Sequence, residues 1–434
     1  MSAKPELLAL LLLCAACGGA SQSAAIPSAR TPLGILKIRH IVWIMQENRS
    51  FDDLFQGYPG ADTSATGKDS RGRTVRLAPI SFTAGYDIEH SSPSFFRACD
   101  GKGDTRGTQC RMDGFDREQL HCYQPCPPHA QYGYVPRTET RIYFAMAHEY
   151  VLADRMFTSH LDLSYVSHQY MIAGQANRAV DYPANRWRCS TAADVIGTLT
   201  DKRKYGPNIP VCQDYRTLGD ELDAAGLSWK LYSVRNYQWV AYGSIRHIRY
   251  GPDWNEDVIG SPARVIADVA RGELANMTWI TPTCQNSDHA ACGSSTGPQW
   301  VADVVNAIGE SQFWRSTAIF VMWDEWGGWY DHVKPPHLDF DGLGFRVPLL
   351  VISPFAKRGY VSHVQYEHGS ILKFAEDRFN LPRLSVSDTR ANSPASDCFD
   401  FTQSPRKFQP FGKALRLQDA LRMERNETAT LPDE

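Results

Sequence analysis

Two segments far apart in the chain share one pattern, and that pattern restricts the fold more than any other feature. Residues 38–45 (IRHIVWIM) form an apolar, β-branched run that breaks at once into the polar tract QENRSFDDLF. Residues 317–323 (TAIFVMW) break in the same way into DEWGGWYDHVKPP. Short apolar runs bounded by polar residues read as strands buried on both faces, the kind found in parallel sheets covered by helices. Further runs of this type lie at 229–234, 277–281 and 346–352, and helical patterns lie at 143–153, 217–225, 298–308 and 369–379. The alternation predicts an α/β fold with a mostly parallel central sheet flanked by helices. A chain of 434 residues, 43% of them hydrophobic, has ample material for such a core.

In a parallel sheet both acidic tracts open on one edge, at the carboxyl ends of the strands where ligands bind in open α/β folds. That edge would hold Glu47 with Asn48 and Asp324 with Glu325. Carboxylates brought together there repel one another unless a cation neutralises them. An all-oxygen set suits Ca²⁺, Mg²⁺ or Mn²⁺, and added histidines favour Zn²⁺. The plainer reading is that each pair caps a following helix. Recurrence of the pattern favours the metal.

The first 25 residues have the form of a secretion signal, with an apolar stretch too short to span a bilayer. Cys17, followed by Gly18 and Gly19, matches a lipoprotein cleavage point except for Cys14 three residues before it, so a lipid tether at Cys17 and a plain cut near Ala24 or Ala25 are both open. Export would leave the chain periplasmic, extracellular or held on the outer membrane. The other cysteines fall mostly into local pairs, Cys99 with Cys110, Cys122 with Cys126, Cys189 with Cys212 and Cys284 with Cys292, leaving Cys398 over. Disulfides in an oxidising compartment explain this better than zinc, because no second close thiol or histidine pair accompanies Cys122 and Cys126. Residues 57–136 carry little periodicity and read as a disulfide-containing insertion that shapes the site entrance. A catalytic domain over 32–390 and a tail over 391–434 complete the division. With 45 basic against 48 acidic residues, nucleic acid is not an expected partner.

The words IRHIVWIMQENRSFDDLFQGYPG, VMWDEWGGWYDHVKPP and FRVPLLVISPFAKRGYV resemble, in order and over about residues 38–381, the bacterial phosphoesterase family of phosphatidylcholine-type phospholipases C and acid phosphatases. The resemblance implies an alkaline phosphatase-like core, a bound divalent metal and a hydroxyl nucleophile. Position by position, it implies that Glu47, Asn48, Asp324 and Glu325 are metal ligands. It places the nucleophile, itself a metal ligand, at Ser164 in HLDLSYVSHQYMIAGQ. There Leu163, Val166 and Ser167 depart from the family's Pro, Pro and Asn, so Ser159 and Ser167 stay open as nucleophiles, and Ser164 as a helix cap. His90 and His289 follow family-like words and would donate to the transferred group, or be ordinary surface histidines. Asp331, His332 and His368 would brace the site, while Trp323, Trp326 and Trp329 would fill core or line a choline pocket. The expected function is metal-dependent hydrolysis of a small phosphorylated substrate or a phospholipid headgroup. The alternative is a non-catalytic surface lipoprotein that uses the same fold to bind.

Overall fold

The computed structural model describes residues 32–413 apart from 104, 123, 124 and 162, together with Met1 and a few positions between 418 and 425. Signal cleavage and lipidation at Cys17 lie outside the described residues. Eight strands build the central sheet: β1 (His40–Gln46), β2 (Val151–Ala153), β3 (Trp229–Tyr232), β4 (Val258–Ile259), β5 (Met277–Ile280), β6 (Thr317–Trp323), β7 (Leu349–Ile352) and β8 (Tyr360–Ser362). Across the sheet they run β4-β3-β5-β1-β6-β7-β2-β8. All neighbours pair in parallel except β7, which is antiparallel to both β6 and β2. The mostly parallel α/β sheet is therefore as the apolar runs predict. The reversal of β7 is invisible in a strand's hydrophobic pattern, because a doubly buried strand reads alike in either direction.

The central pair positions everything that follows. β1 and β6 pair in register from His40 with Thr317 to Gln46 with Trp323, and every β6 residue is buried. The two acidic tracts therefore leave the sheet side by side, and the Asp324 N–H still donates to the Gln46 carbonyl at 2.9 Å. Covering helices are α1 (Phe51–Phe55), α2 (Arg137–Glu149), α3 (Ser164–Ala173), α4 (Leu218–Ala224), α5 (Arg264–Arg271), α6 (Gly297–Gly309) and α7 (His368–Phe379). The helical pattern at 143–153 is half right. It holds to Glu149, after which the chain turns at Tyr150 and Val151–Ala153 becomes a strand too short for period two to show.

The four cysteine pairs predicted from proximity are all disulfides, and Cys398 is a buried free thiol. Residues 57–136 hold short antiparallel pairs, among them Tyr86–Ile88 with Leu120–Cys122. This region also carries an aromatic cluster of its own. Phe95, Phe115 and Tyr132 close over Trp326, Tyr330 and Phe345, so the insertion is packed onto the loop that follows β6. Beyond residue 390 the chain returns to the main core through Phe399, Phe401 and Phe411.

Candidate active site

Glu47 and Asn48 follow directly on β1, and Asp324 and Glu325 on β6; all four side chains are buried. Two backbone features fold the loops onto each other. Asn48 sits in the left-handed region at φ 52°, a conformation asparagine tolerates better than most residues. Gly327 has φ 63°, and a Cβ there would stand 2.4 Å from the Asn48 carbonyl oxygen, so only glycine permits the approach. The Asn48 N–H then donates to Asp324 Oδ1 at 2.8 Å.

The Asn48 amide is the hub of the site. Its Nδ2 donates to Glu325 and toward Ser164 Oγ at 3.4 Å, and it lies 3.1 Å from His90 Nε2. Glu325 Oε2 accepts from the Gly327 N–H at 2.7 Å, and His90 Nε2 stands 3.4 Å from Glu325 Oε1. Ser164 opens α3; Leu163 occupies the cap position, so Ser164 is the first helical residue rather than the cap. The start of a helix presents main-chain N–H groups that lack intrahelical partners, which suits an anion. Ser164 and His90 retain 4% and 7% exposure while Glu47, Asp324 and Glu325 have none, so these two residues form the outward side of the cluster.

Electrostatics mark the place as unusual. Burial holds the Glu47 carboxyl well above the usual range, and the Ser164 hydroxyl only partly offsets this. Asp324 and Glu325 are also raised well above it, first by burial and then by repulsion, from Glu47 on Asp324 and from Asp324 on Glu325. Glu47 Oε2, Asn48 Oδ1 and Asp324 Oδ2 are buried without a hydrogen-bond partner. Buried lone pairs in that state are costly, and a cation among them would satisfy all three.

Of the residues predicted from sequence, Glu47, Asn48, Ser164, Asp324, Glu325 and His90 come together. His289 lies at the margin, its ring 6.2 Å from that of His90 and stacked on Trp239 at 6.1 Å. Burial lowers its pKa to about 4. The loop that carries it is pinned from below, because the Asp288 carboxylate accepts from Tyr143 Oη at 2.7 Å and from Trp323 Nε1 at 2.9 Å. Ser159 donates to Glu367 at 2.8 Å, and Ser167 to the Asp324 carbonyl at 2.5 Å, so both alternative hydroxyls are committed elsewhere.

His368 accepts from the Ser159 N–H and lies 3.3 Å from Ser167 Oγ, bracing the start of α3. Asp331 and His332 belong to a second acidic cluster with Asp52, and there Arg346 supplies the neutralising charge at 3.1 Å from Asp331 and 3.4 Å from Asp52. A choline pocket at the tryptophans is not what the fold builds. Trp323 lies in the main core, Trp326 in the insertion's cluster and Trp329 beneath Arg49 at 4.7 Å, each at most 1% exposed.

One buried residue escaped the sequence reading. His168, one turn after Ser164 on α3, places Nε2 2.9 Å from Glu47 Oε1. With Glu47 and Asp324 it forms a group whose ligand atoms lie within 4.8 Å of one another. Burial lowers its pKa to about 4 against the pull of Asp324 and the Trp239 main chain. Its spacing of four from Ser164 was the available signal, readable only once the start of α3 is known.

The chain is 25% identical over 428 residues to the non-hemolytic phospholipase C of Pseudomonas aeruginosa, covering 84% of this chain and 57% of that protein, so it spans little more than half that relative's length. It is 25% identical over 446 residues to phospholipase C B of Mycobacterium tuberculosis, covering 87% and 81% respectively. Against non-specific phospholipase C1 of Arabidopsis thaliana it is 24% identical over 433 residues, covering 87% and 76%. Among solved structures, an alkaline phosphatase superfamily protein from Vibrio parahaemolyticus matches at TM-score 0.37 and 9% identity, over 79% of this chain and 66% of that one. The phosphonate monoester hydrolase of Silicibacter pomeroyi matches at TM-score 0.35 and 10% identity, over 62% and 73%. The model of the Phosphoesterase family matches residues 38–382, which contain every residue of the site just described. The chain belongs to the Phosphoesterase family.

Proposed function

We propose that the chain is an exported, metal-dependent phosphoesterase that transfers the phosphoryl group of its substrate to Ser164 and then to water. One observation carries this reading: the Ser164 hydroxyl opens a helix beside three buried carboxyls, two of which, Glu47 and Asp324, keep an oxygen without a hydrogen-bond partner. Glu47, Asn48, Ser164, Asp324 and Glu325 are the residues that would hold the divalent cation. When bound, it supplies charge neutralisation and Lewis acidity at this edge of the sheet.

The chain's own groups have distinct tasks. Ser164 Oγ forms the new bond to phosphorus as the ester P–O bond breaks, and water later cleaves the phosphoseryl intermediate. Asn48 Nδ2, which already reaches toward Ser164 Oγ, and the first turn of α3 direct donors at the developing charge on the phosphoryl oxygens. His90, held by its bond to the Ile88 carbonyl, stands 3.1 Å from the same Asn48 Nδ2, and His289 extends the same wall outward. The leaving oxygen takes up the proton that Ser164 Oγ gives up, relayed on this side by His90.

The relatives named above are phospholipases C, and the disulfides suit an oxidising compartment. Among the described residues no helix is long and apolar enough to cross a membrane. Small phosphomonoesters and diesters are the preferred substrates in this reading, because the insertion over 57–136 offers a polar rim rather than an apolar one. The test is kcat/KM for p-nitrophenyl phosphate, p-nitrophenyl phosphorylcholine and phosphatidylcholine vesicles, before and after chelation. Chelator-sensitive turnover of the two small esters is expected. Preference for vesicles would make the enzyme a phospholipase C by substrate, and metal-loaded protein without turnover on any of the three would leave only a binding module.

A further inference from the structure

We propose that His168 is a metal ligand through Nε2, completing with Glu47 and Asp324 a mixed nitrogen and oxygen site that selects a transition-metal cation over Ca²⁺ or Mg²⁺. The inference rests on the metal site of the proposed function and goes beyond it by naming the ligand that sets the class of ion.

The argument begins with α3. Residues four apart lie on one face of a helix, so the helix that delivers the Ser164 hydroxyl also delivers the His168 ring to the same cluster. His168 is 1% exposed, its Nε2 is 2.9 Å from Glu47 Oε1, and the ligand atoms of His168, Glu47 and Asp324 all lie within 4.8 Å of one another. A ring that merely held Glu47 in place would donate one N–H to one oxygen. That leaves Glu47 Oε2 and Asp324 Oδ2 still buried and unsatisfied beside it. A cation bound at Nε2 satisfies both and removes the repulsion between the carboxylates.

The surrounding atoms favour the same assignment. Nε2 is the ring nitrogen turned toward Glu47, and the Trp239 main chain polarises the ring, so the tautomer with its proton on Nδ1 leaves the Nε2 lone pair toward the carboxylates. Metal-bound histidines are commonly oriented through their second ring nitrogen in this way. The Glu325 oxygens each accept one hydrogen bond, from Asn48 Nδ2 and from the Gly327 N–H, and keep a lone pair for the cation. That engagement turns the Asn48 amide so that Oδ1, which has no partner, is free to join the cation. Imidazole nitrogen suits Zn²⁺ and its first-row neighbours, whereas Ca²⁺ and Mg²⁺ take oxygen ligands.

The experiment uses the full chain, stripped of metal and dialysed against equimolar Ca²⁺, Mg²⁺, Mn²⁺ and Zn²⁺, with bound metal read by elemental analysis. In parallel, the Mn²⁺-loaded protein is examined by pulsed EPR with natural and ¹⁵N-labelled histidine, which reports imidazole ligation without any substitution. Expected results are retention of Zn²⁺ or Mn²⁺ over Ca²⁺ and Mg²⁺, and a histidine nitrogen coupling that survives His90→Gln and disappears in His168→Gln. Zn²⁺ affinity in His168→Gln should fall by about tenfold or more. Bound Mn²⁺ with no histidine coupling, or a coupling that survives His168→Gln, would leave His168 as a positioning residue for Glu47 and overturn the proposal. Wild-type protein that retains none of the ions would overturn the metal site of the proposed function, and this inference with it.

Discussion

Arg346→Met should cost more stability than the loss of one side chain at the surface could, because of what Arg346 leaves behind. Its guanidinium is buried and bonds to Asp331 at 3.1 and 3.2 Å from Nε and 3.1 Å from Nη2, with Asp52 at 3.4 Å. Nη1 donates to the carbonyls of Asp62 and Asp154, each at 2.8 Å. Methionine replaces most of the aliphatic stem, so the cavity is small and the loss is electrostatic. Asp52 keeps donors from His332 at 2.6 Å and from the Ser64 N–H at 3.1 Å. Asp331 retains only main-chain N–H donors, from Asp52 and Val333. Breaking a buried pair in this way costs about 3–5 kcal/mol, a large share of the roughly 5–15 kcal/mol that holds a typical protein folded. Burial already raises Asp331 to about 6 against the pull of Arg346, and loss of the arginine raises it further. A carboxyl whose folded pKa exceeds its unfolded one stabilises at low pH and loses that contribution as pH rises through the folded value. The penalty should therefore be largest near pH 8 and shrink toward pH 4. Urea unfolding followed by circular dichroism at several pH values measures it, and Arg346→Met/Asp331→Asn should recover about half or more of the loss. A penalty below about 1 kcal/mol, or one that does not change with pH, would refute the assignment of Arg346 as the cluster's neutralising charge.

The remaining predictions concern the two acidic clusters. Glu47→Ala and Asp324→Ala should each lower bound metal, although the residues are far apart in the chain, because their oxygens share one site; full metal content in both variants would contradict that. His332 is depressed by burial but raised more by its bond to Asp52 and the nearby carboxylates, to about 9. Since this folded value lies above the unfolded one, the stabilisation is complete below about pH 6.5 and fades as pH rises through 9. His332→Gln should accordingly cost about 2 kcal/mol at pH 6 and much less at pH 10, and unfolding curves showing the same loss at both would exclude a charged His332.

That β1 and β6 open their acidic tracts on one sheet edge was legible because each mostly apolar run breaks at once into acid; that the two strands are direct neighbours was not. Cysteine pairing followed from proximity, since short loops close at little entropic cost. His168 was harder to find. A single histidine inside SYVSHQYMIAG carries no signal until Ser164 is known to be the first residue of α3, and only then does a spacing of four put both side chains on one face. The tryptophans fill core, the first of the two readings open to them, but the choice needed the tertiary structure. Trp326 follows the acidic pair and Trp329 the glycine turn, and sequence cannot show that the distant residues Phe115 and Arg49 fold over them. Val151–Ala153 is a strand only because β7 and β8 flank it, a tertiary fact that three residues cannot announce.

Identity of the nucleophile is the central claim, and trapping tests it most directly. Metal-loaded enzyme mixed with p-nitrophenyl phosphate and quenched in acid within the first turnover should carry phosphate on the peptide containing Ser164. Ser164→Ala should carry none, and its turnover should fall by about 10³-fold or more with folding unchanged. Phosphate found instead on Ser159 or Ser167, or wild-type turnover in Ser164→Ala, would contradict the account.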